Sequence, residues 1–401
     1  MSEWVVMQLF RDICVVPTQS FRAHIATGGP IWPDFECQTA VRHCRNGRPV
    51  DQSPALNGAD LEPLDAPCVW GGFIDRHFGH FVAEHLPRLL FSLRERPADI
   101  FLFTAEPGLS AVDLPTCVWD LLEWYGLARA QIRIVTSAIR VRELRAGPQA
   151  EMLPQVEPSR DYLALVQARA AANRLVPELA DRLYVGRGGV VAAGGGGHAG
   201  EGYLVAVLSA LGMQVLDPGA VPLRKQLALY AGAKSIVFAE GSAMHGRQLL
   251  GFIDQDIHVL RRRKGRSVAR AMLRPRCRAL VYRRTVDGGL MAYFRNGNRR
   301  PGAALAFYDK AALFKAFSAL GIDLAAQWND DAYRACVVAD IDGWITSRSP
   351  RPAELAQYRD ILQQVDLLPA SLASDPLAKG VPASGHAPLF EGKTHGPVHA
   401  S

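Results

Sequence analysis

The feature that most constrains this chain is a run of alternating strand-like and helix-like segments between Arg182 and Leu260. Arg182 to Val185 (RLYV), Met213 to Leu216, Ser235 to Ala239 (SIVFA) and Ile257 to Leu260 are short apolar runs, while Glu201 to Leu211 and Pro222 to Ala231 carry helical spacing between them. Strands separated by helices do not close into hairpins. They pair in parallel and need cover on both faces, so the alternation predicts a Rossmann-like half. An earlier block repeats the pattern: Cys68 to Phe73, Asp99 to Thr104 and Gln131 to Val135 read as strands. Leu114 to Tyr125, closed by Gly126, and Asp161 to Leu175 read as helices. A chain of 401 residues exceeds one ordinary core. The expected division is an N-terminal Rossmann-like domain over 1–176, a second over 177–285 and a mainly helical extension over 286–370 with helices at Lys310 to Leu320 and Pro352 to Leu362. A disordered tail is expected over 371–401, where Pro, Gly and Ser dominate. Residues 1 to about 66 read as short strands and loops with no chemistry attached.

Between the first strand of the earlier block and its next helix lies the stretch Asp75-Arg76-His77-Phe78-Gly79-His80-Phe81-Val82-Ala83-Glu84-His85-Leu86-Pro87-Arg88. As a helix from His77, it places His77, His80, Glu84 and Arg88 on one face and Val82, Leu86, Leu89 and Leu93 on another. The apolar face anchors the helix. The other leaves His80 and Glu84 one turn apart, where an imidazole and a carboxylate tune each other's pKa for proton transfer. Pro87 removes the hydrogen bond to the Ala83 carbonyl, so a kink is expected there. His77, His80 and Glu84 are the catalytic candidates, with Asp75 and Arg88 on the acceptor or phosphate side. No metal is expected, because His80 to His85 reads H-x-x-x-E-H rather than either zinc-hydrolase spacing.

In the later block, Arg187 and the turn Glu240-Gly241-Ser242-Ala243-Met244-His245 each follow a strand, at the end of an open α/β sheet where ligands bind. Gly241 permits close approach of the backbone. Ser242 is expected to cap a helix running to Leu250, whose N-terminus favours an anion such as a pyrophosphate. The four-glycine run Gly194 to Gly197 lacks the Lys-Ser/Thr of a phosphate loop and reads as a flexible loop. Arg187, Glu240, Gly241, Ser242 and His245 are therefore the candidates for holding such an anion.

Basic residues exceed acidic ones by 45 − 39 = 6, and the excess is local: Arg261, Arg262, Arg263, Lys264 and Arg266 are followed by Arg270, Arg274, Arg276 and Arg278. Such a run suits phosphate groups or an anionic membrane surface, or is a solvated loop. The seven cysteines are odd in number and form no C-x-x-C pair, which favours free thiols in a reducing cytoplasm. No window reaches membrane-spanning length and the first eleven residues lack a signal-peptide pattern, so a cytosolic protein with at most peripheral membrane contact is expected.

Three runs, taken together and in order, resemble glycosyltransferase family 61, particularly the bacterial members associated with capsule and lipopolysaccharide synthesis. They are Gly79 to Leu89 (GHFVAEHLPRL), Arg182 to Arg187 (RLYVGR), and Gln226 to Val237 leading into Glu240 to His245 (EGSAMH). The similarity spans roughly Pro67 to Leu260. It implies a GT-B architecture, two Rossmann-like domains facing across a cleft, and inverting transfer from a nucleotide-sugar donor to a glycan or lipid-linked glycan. No bound cofactor or metal and no nucleic-acid partner would be required. Many relatives carry Asn after the His of the last motif, where this chain has Gly246. The competing classes are an NAD-dependent Rossmann enzyme, which needs a glycine fingerprint and a following acidic residue, and a non-catalytic module binding polysaccharide or nucleic acid through the basic run.

Overall fold

The computed structural model describes residues 7–56, 58, 61–95, 100–191, 194–263, 265, 267–294, 296–348, 360–361 and 363–364. In the first half, strands β1 (Gln8–Arg22) and β2 (Ile25–Pro30) form an antiparallel hairpin that turns through Ala23 and His24, at φ of 50° and 60°. Two short strands, β3 (Cys44–Arg45) and β4 (Arg48–Pro49), turn through Asn46 and Gly47, both at positive φ as a tight Asn-Gly hairpin requires. Then follow β5 (Glu62–Leu64), β6 (Cys68–Ile74), α1 (Phe78–His80), α2 (Leu89–Glu95), β7 (Ile100–Ala105), α3 (Thr116–Trp124), β8 (Ile132–Ile134), β9 (Ile139–Ala146) and α4 (Arg160–Ala172). The sheet runs β2-β1-β9-β6-β7-β8, with β5 also paired to β9. The β9-β6-β7-β8 portion is parallel, as the alternation requires, and the long hairpin adds an antiparallel edge that the residues before Pro67 did not announce.

The second half carries β10 (Ala180–Val185), β11 (Gly197–His198), α5 (Glu201–Ala210), β12 (Gln214–Leu216), α6 (Leu223–Gly232), β13 (Ala233–Ala239), α7 (Ala243–Gly246), β14 (Ile253–Arg261), α8 (Arg270–Leu273) and β15 (Cys277–Arg284). Its sheet is parallel throughout in the order β12-β10-β13-β14-β15. The order of connection therefore reverses between β10 and β13, which opens a crevice at their carboxyl ends. Tyr184, Val185, Val237 and Phe238 in those two strands are wholly buried, as a sheet covered on both faces demands.

The extension carries two strands besides its helices. Strands β16 (Val286–Leu290) and β17 (Leu305–Tyr308) join β11 in a third sheet, flanked by α9 (Lys310–Ser318) and α10 (Asp330–Thr346). Asp309 and Asn329 cap these helices by accepting the backbone N–H of Ala312 and Ala332. Trp344 in α10 is completely buried and donates to the Ala303 carbonyl within the extension, while the Gly200 N–H donates to Asp340 and ties α10 to the second half. The helix expected over Pro352 to Leu362 lies almost entirely outside the described residues, and the expected tail over 371–401 lies wholly outside them.

One apolar cluster runs through both halves. Phe81, Leu86, Phe101 and Phe103 belong to the same buried group as Leu183, Ile236, Phe238 and Ile257. A charged tie crosses it too: Arg276, without exposed surface, donates to Glu151 from both terminal nitrogens at 2.8 and 3.0 Å. Among the described residues no helix is long and apolar enough to cross a membrane.

Candidate active site

The histidine-rich segment is helical but not one α-helix. After α1, the Leu86 N–H bonds back to the Phe81 carbonyl in a π-turn over Phe81–His85, and Leu86–Arg88 winds as a 3-10 turn into α2. Pro87 sits at the start of that turn, where its missing N–H costs nothing, so the expected kink is taken up by the π-turn. A π-turn advances fewer degrees per residue than an α-turn. Arg88 is carried off the His80 face into the interior. It is buried and donates to the carbonyls of Val41 and Arg42, at 2.9 and 3.3 Å, and burial pulls its pKa down to about 10. Arg88 is thus a strut for the segment that carries β3, rather than an acceptor or phosphate contact. The expected apolar face holds, with Val82, Leu86 and Leu89 buried.

Glu84 is buried and fully engaged. It accepts from His80 Nδ1 at 2.5 Å, from His43 Nε2 at 2.9 Å and from the Arg45 guanidinium at 2.7 and 3.2 Å. Burial alone would raise its pKa, but the hydrogen bonds from His43 and His80 and the charge of Arg45 hold it well below the usual carboxylate range. An ionised Glu84 only accepts, so His80 Nδ1 carries a proton, and in the neutral ring the lone pair is on Nε2. Glu84 thereby sets the tautomer of His80, and Nε2 lies outside the pair.

Asp75, also buried, takes the His77 N–H on Oδ1 at 2.7 Å and His24 Nδ1 on Oδ2 at 2.8 Å. It positions imidazoles and makes no substrate-side surface. His77 lines the cleft, but burial together with neighbouring His80 and His24 lowers its pKa to about 4, leaving it neutral. His24 stacks on His80 with ring centroids 3.7 Å apart. His24, Asp75 and His80 offer three possible ligand atoms within 4.8 Å of one another. The two rings lie 13° from parallel, however, so their in-plane lone pairs run side by side instead of converging, and ligation by both would require one ring to turn.

A cleft of about 1660 Å³ opens in front of these histidines, lined on that side by His24, His77, Gly79 and His80. The opposite wall comes from the carboxyl ends of β10, β12 and β13: Arg187, Asp217, Gly241, Ser242 and His245, with Arg263 after β14. The walls meet at Gly79, where a Cβ would come within 3.0 Å of the His245 ring and 3.1 Å of Ser242 Cβ. Only glycine lets α1 approach α7 so closely.

Arg187 lies across the Gly241 backbone, where a Cβ would sit 1.7 Å from its Nη1. Its Nε donates to the Gly196 carbonyl at 2.8 Å, which pins the four-glycine run instead of leaving it a loose loop. Ser242 makes no capping hydrogen bond and α7 is one turn long, continuing as a 3-10 turn, so the macrodipole argument for an anion there loses most of its force. The positive charge comes from side chains. His245 is buried, hydrogen-bonded to Gln248 at 2.6 Å, and held neutral by burial, which lowers its pKa to about 4. Glu240 is buried behind the wall: it accepts the backbone N–H of Arg262 and Arg263 and pairs with the Arg263 guanidinium at 3.0 Å. It braces Arg263, which does line the cleft.

The basic run is not a continuous cationic surface. Arg262 and Arg276 are buried, Arg262 donating to the carbonyls of Pro301, Gly302 and Ala304, and Arg278 pairs with Asp254 and Asp256. Lys264 and Arg266 lie outside the described residues.

Three members of the site come from the region read as carrying no chemistry: His24, His43 and Arg45. Asn46-Gly47 offered a hairpin signal beside His43 and Arg45. For His24 there was none, since Ala23-His24 is not a turn dipeptide. No protein-family model matches the chain, and no curated protein matches it.

Proposed function

We propose that the protein is an inverting glycosyltransferase that moves a sugar from a nucleotide-sugar donor to a growing surface or capsular glycan, with its two sheet-bearing halves acting as the facing domains of a GT-B architecture. The observation that carries this reading is the pairing across one cleft of an imidazole, His80, with a cationic wall formed by Arg187 at the switch point of a parallel sheet and Arg263 after β14. Inversion requires these two components on opposite sides of the sugar. The acceptor oxygen attacks the anomeric carbon from the face away from the diphosphate. Its bond forms as the carbon–oxygen bond to the diphosphate breaks, and the electron pair leaves on phosphate. The hydroxyl proton passes to His80 Nε2, and Glu84 stabilises the imidazolium that results. Arg187 and Arg263 balance the charge of the departing diphosphate.

A ligand panel followed by thermal unfolding tests the reading. UDP-, GDP- or CMP-sugars should raise Tm, because a ligand that binds only the folded state stabilises it by mass action. Stabilisation by NAD alone, or by oligonucleotides alone, would overturn it in favour of a dinucleotide enzyme or a nucleic-acid-binding module.

A further inference from the structure

We propose that the extension builds an acceptor subsite for an acidic glycan, one whose sugars carry carboxylate or phosphate groups. Arg300 and Arg348 are its anion contacts, and Tyr293 and Phe294 form its sugar platform; that the glycan is the acceptor rests on the transferase reading above. The cleft holds about 1660 Å³, whereas pockets for a single small ligand run to roughly 300 to 1,000 Å³, so a nucleotide-sugar leaves part of it free. The extension supplies one stretch of its wall. Tyr293, Phe294, Arg300, Ser347 and Arg348 belong to that stretch, and among the described residues the extension brings no acidic side chain to the cleft. The two acidic residues that do line it, Asp120 in α3 and Asp217 after β12, come from other walls.

This stretch lies a short step from the diphosphate wall. Arg187 donates to the Gly196 carbonyl and Arg348 to the Gly194 carbonyl at 2.7 Å, so both guanidiniums hold the same glycine run at points no more than roughly 7 Å apart. A glycan that reaches a sugar beside Arg187 therefore extends past Arg348. Packing fixes Arg348: it lies 3.6 Å over the Trp344 ring and donates to the carbonyls of Trp344 and Ala303. Arg300 is exposed, with its guanidinium 5.5 Å from the centre of the Phe294 ring. Neither arginine pairs with a carboxylate among the described residues. Burial first, and then the charge of Arg300, pull the pKa of Arg348 down to about 10, so the two guanidiniums are near enough to repel. An anion between them relieves that repulsion. The loop from β16 to β17 presents the platform: Tyr293 bridges to Arg299, the Phe294 N–H donates to the Asn298 carbonyl at 2.8 Å, and the Arg300 N–H donates to the Ala292 carbonyl at 2.7 Å. Phe294 is held there 48% exposed. Guanidinium forks match carboxylate and phosphate oxygens, and the apolar face of a pyranose packs against an aromatic ring.

The test is equilibrium binding of four oligosaccharides to the full chain at saturating UDP, GDP or CMP: tetragalacturonic acid, its neutral methyl ester, phosphorylated maltotetraose and maltotetraose. At least one acidic oligosaccharide should bind about tenfold or more tightly than its neutral counterpart, as a charge-assisted contact provides. Arg300→Ala should remove most of that preference. Arg299→Ala removes the same charge from an exposed neighbour that does not line the cleft, and should leave the preference within about twofold. Phe294→Ala should weaken the acidic oligosaccharide about threefold. No acidic preference, equal losses in the two arginine variants, or displacement of the glycan by the nucleotide would overturn the subsite and leave the transferase reading standing. An oligonucleotide that binds more tightly than either glycan, and does so through Arg300, would overturn it in favour of a nucleic-acid site. Acidic-glycan binding by a chain that binds no nucleotide-sugar would overturn the acceptor role together with the transferase reading.

Discussion

His24 and His80 lie face to face, their ring centroids 3.7 Å apart, and each is tied at Nδ1 to its own buried carboxylate, Asp75 for the first and Glu84 for the second. With Nδ1 committed to Glu84, Nε2 is the ring nitrogen of His80 left outside that pair. His80→Ala is expected to lower kcat by about a hundredfold or more, the usual contribution of a positioned general base, with nucleotide affinity unchanged. Full turnover in the variant, measured with a competent donor and acceptor, would remove His80 from the chemistry.

Glu84 links the His80 pair to stability. Its folded-state pKa is depressed, so the stabilisation it provides is fully present above the unfolded carboxylate value and is lost as pH falls below about 4.5 toward the folded value. Glu84→Gln should flatten the acid limb of a Tm-versus-pH profile between about pH 5 and 3 and lower Tm at pH 7. An unchanged acid limb would show that other carboxylates govern it.

Arg187 is half-buried against Gly241, with its Nε committed to Gly196 and its Nη1 against the turn. Arg187→Ala removes a charge-assisted contact to phosphate of about 1.5 to 3 kcal/mol and should weaken nucleotide binding roughly tenfold or more. Calorimetric titration measures this, and unchanged affinity would move the diphosphate elsewhere.

Glu201 has the opposite sign from Glu84. Burial raises its pKa to about 7, against the hydrogen bond from Tyr184 and the nearby Arg187. A folded pKa above the unfolded one means that stability is fully present below about pH 4.5 and is lost as pH rises toward 7 and beyond. The loss amounts to roughly 3 kcal/mol by pH 8. Glu201→Gln keeps the acceptor for Tyr184 and removes the ionisation, so it should raise stability at pH 8 and leave it nearly unchanged at pH 4.5. Denaturant melts at the two pH values check this, and a variant less stable at pH 8 would refute it.

The Arg276–Glu151 pair is buried on both sides. Glu151→Ala strands a buried guanidinium and should cost about 3 to 5 kcal/mol, whereas Glu151→Ala with Arg276→Met should recover most of that loss. Additive losses in the double variant would mean that the two residues act independently.

The sequence by itself determined the parallel part of both sheets, because residues such as Leu183, Ile236 and Val237 leave a strand no alternative to burial on both faces. It also located His80, Glu84, Arg187 and the turn at Gly241, whose proximity follows from helical spacing or from strand ends, both local rules. What it left open depends on contacts far apart along the chain. Glu84 was legible as a partner of His80, yet its burial and its bonds to His43 and Arg45 come from a hairpin some forty positions away. Arg88 read as a site residue because α-helical spacing put it beside His80, and a π-turn, which depends on the packing of Phe81 and Leu86 in the core, rotated it inward. Glu240 likewise changed from a ligand contact to a brace once β14 brought Arg262 and Arg263 over it. Periodicity records which side of an element faces the core, but only the tertiary structure decides which polar groups of distant segments meet, because a buried charge can be retained only where the whole chain supplies its partners.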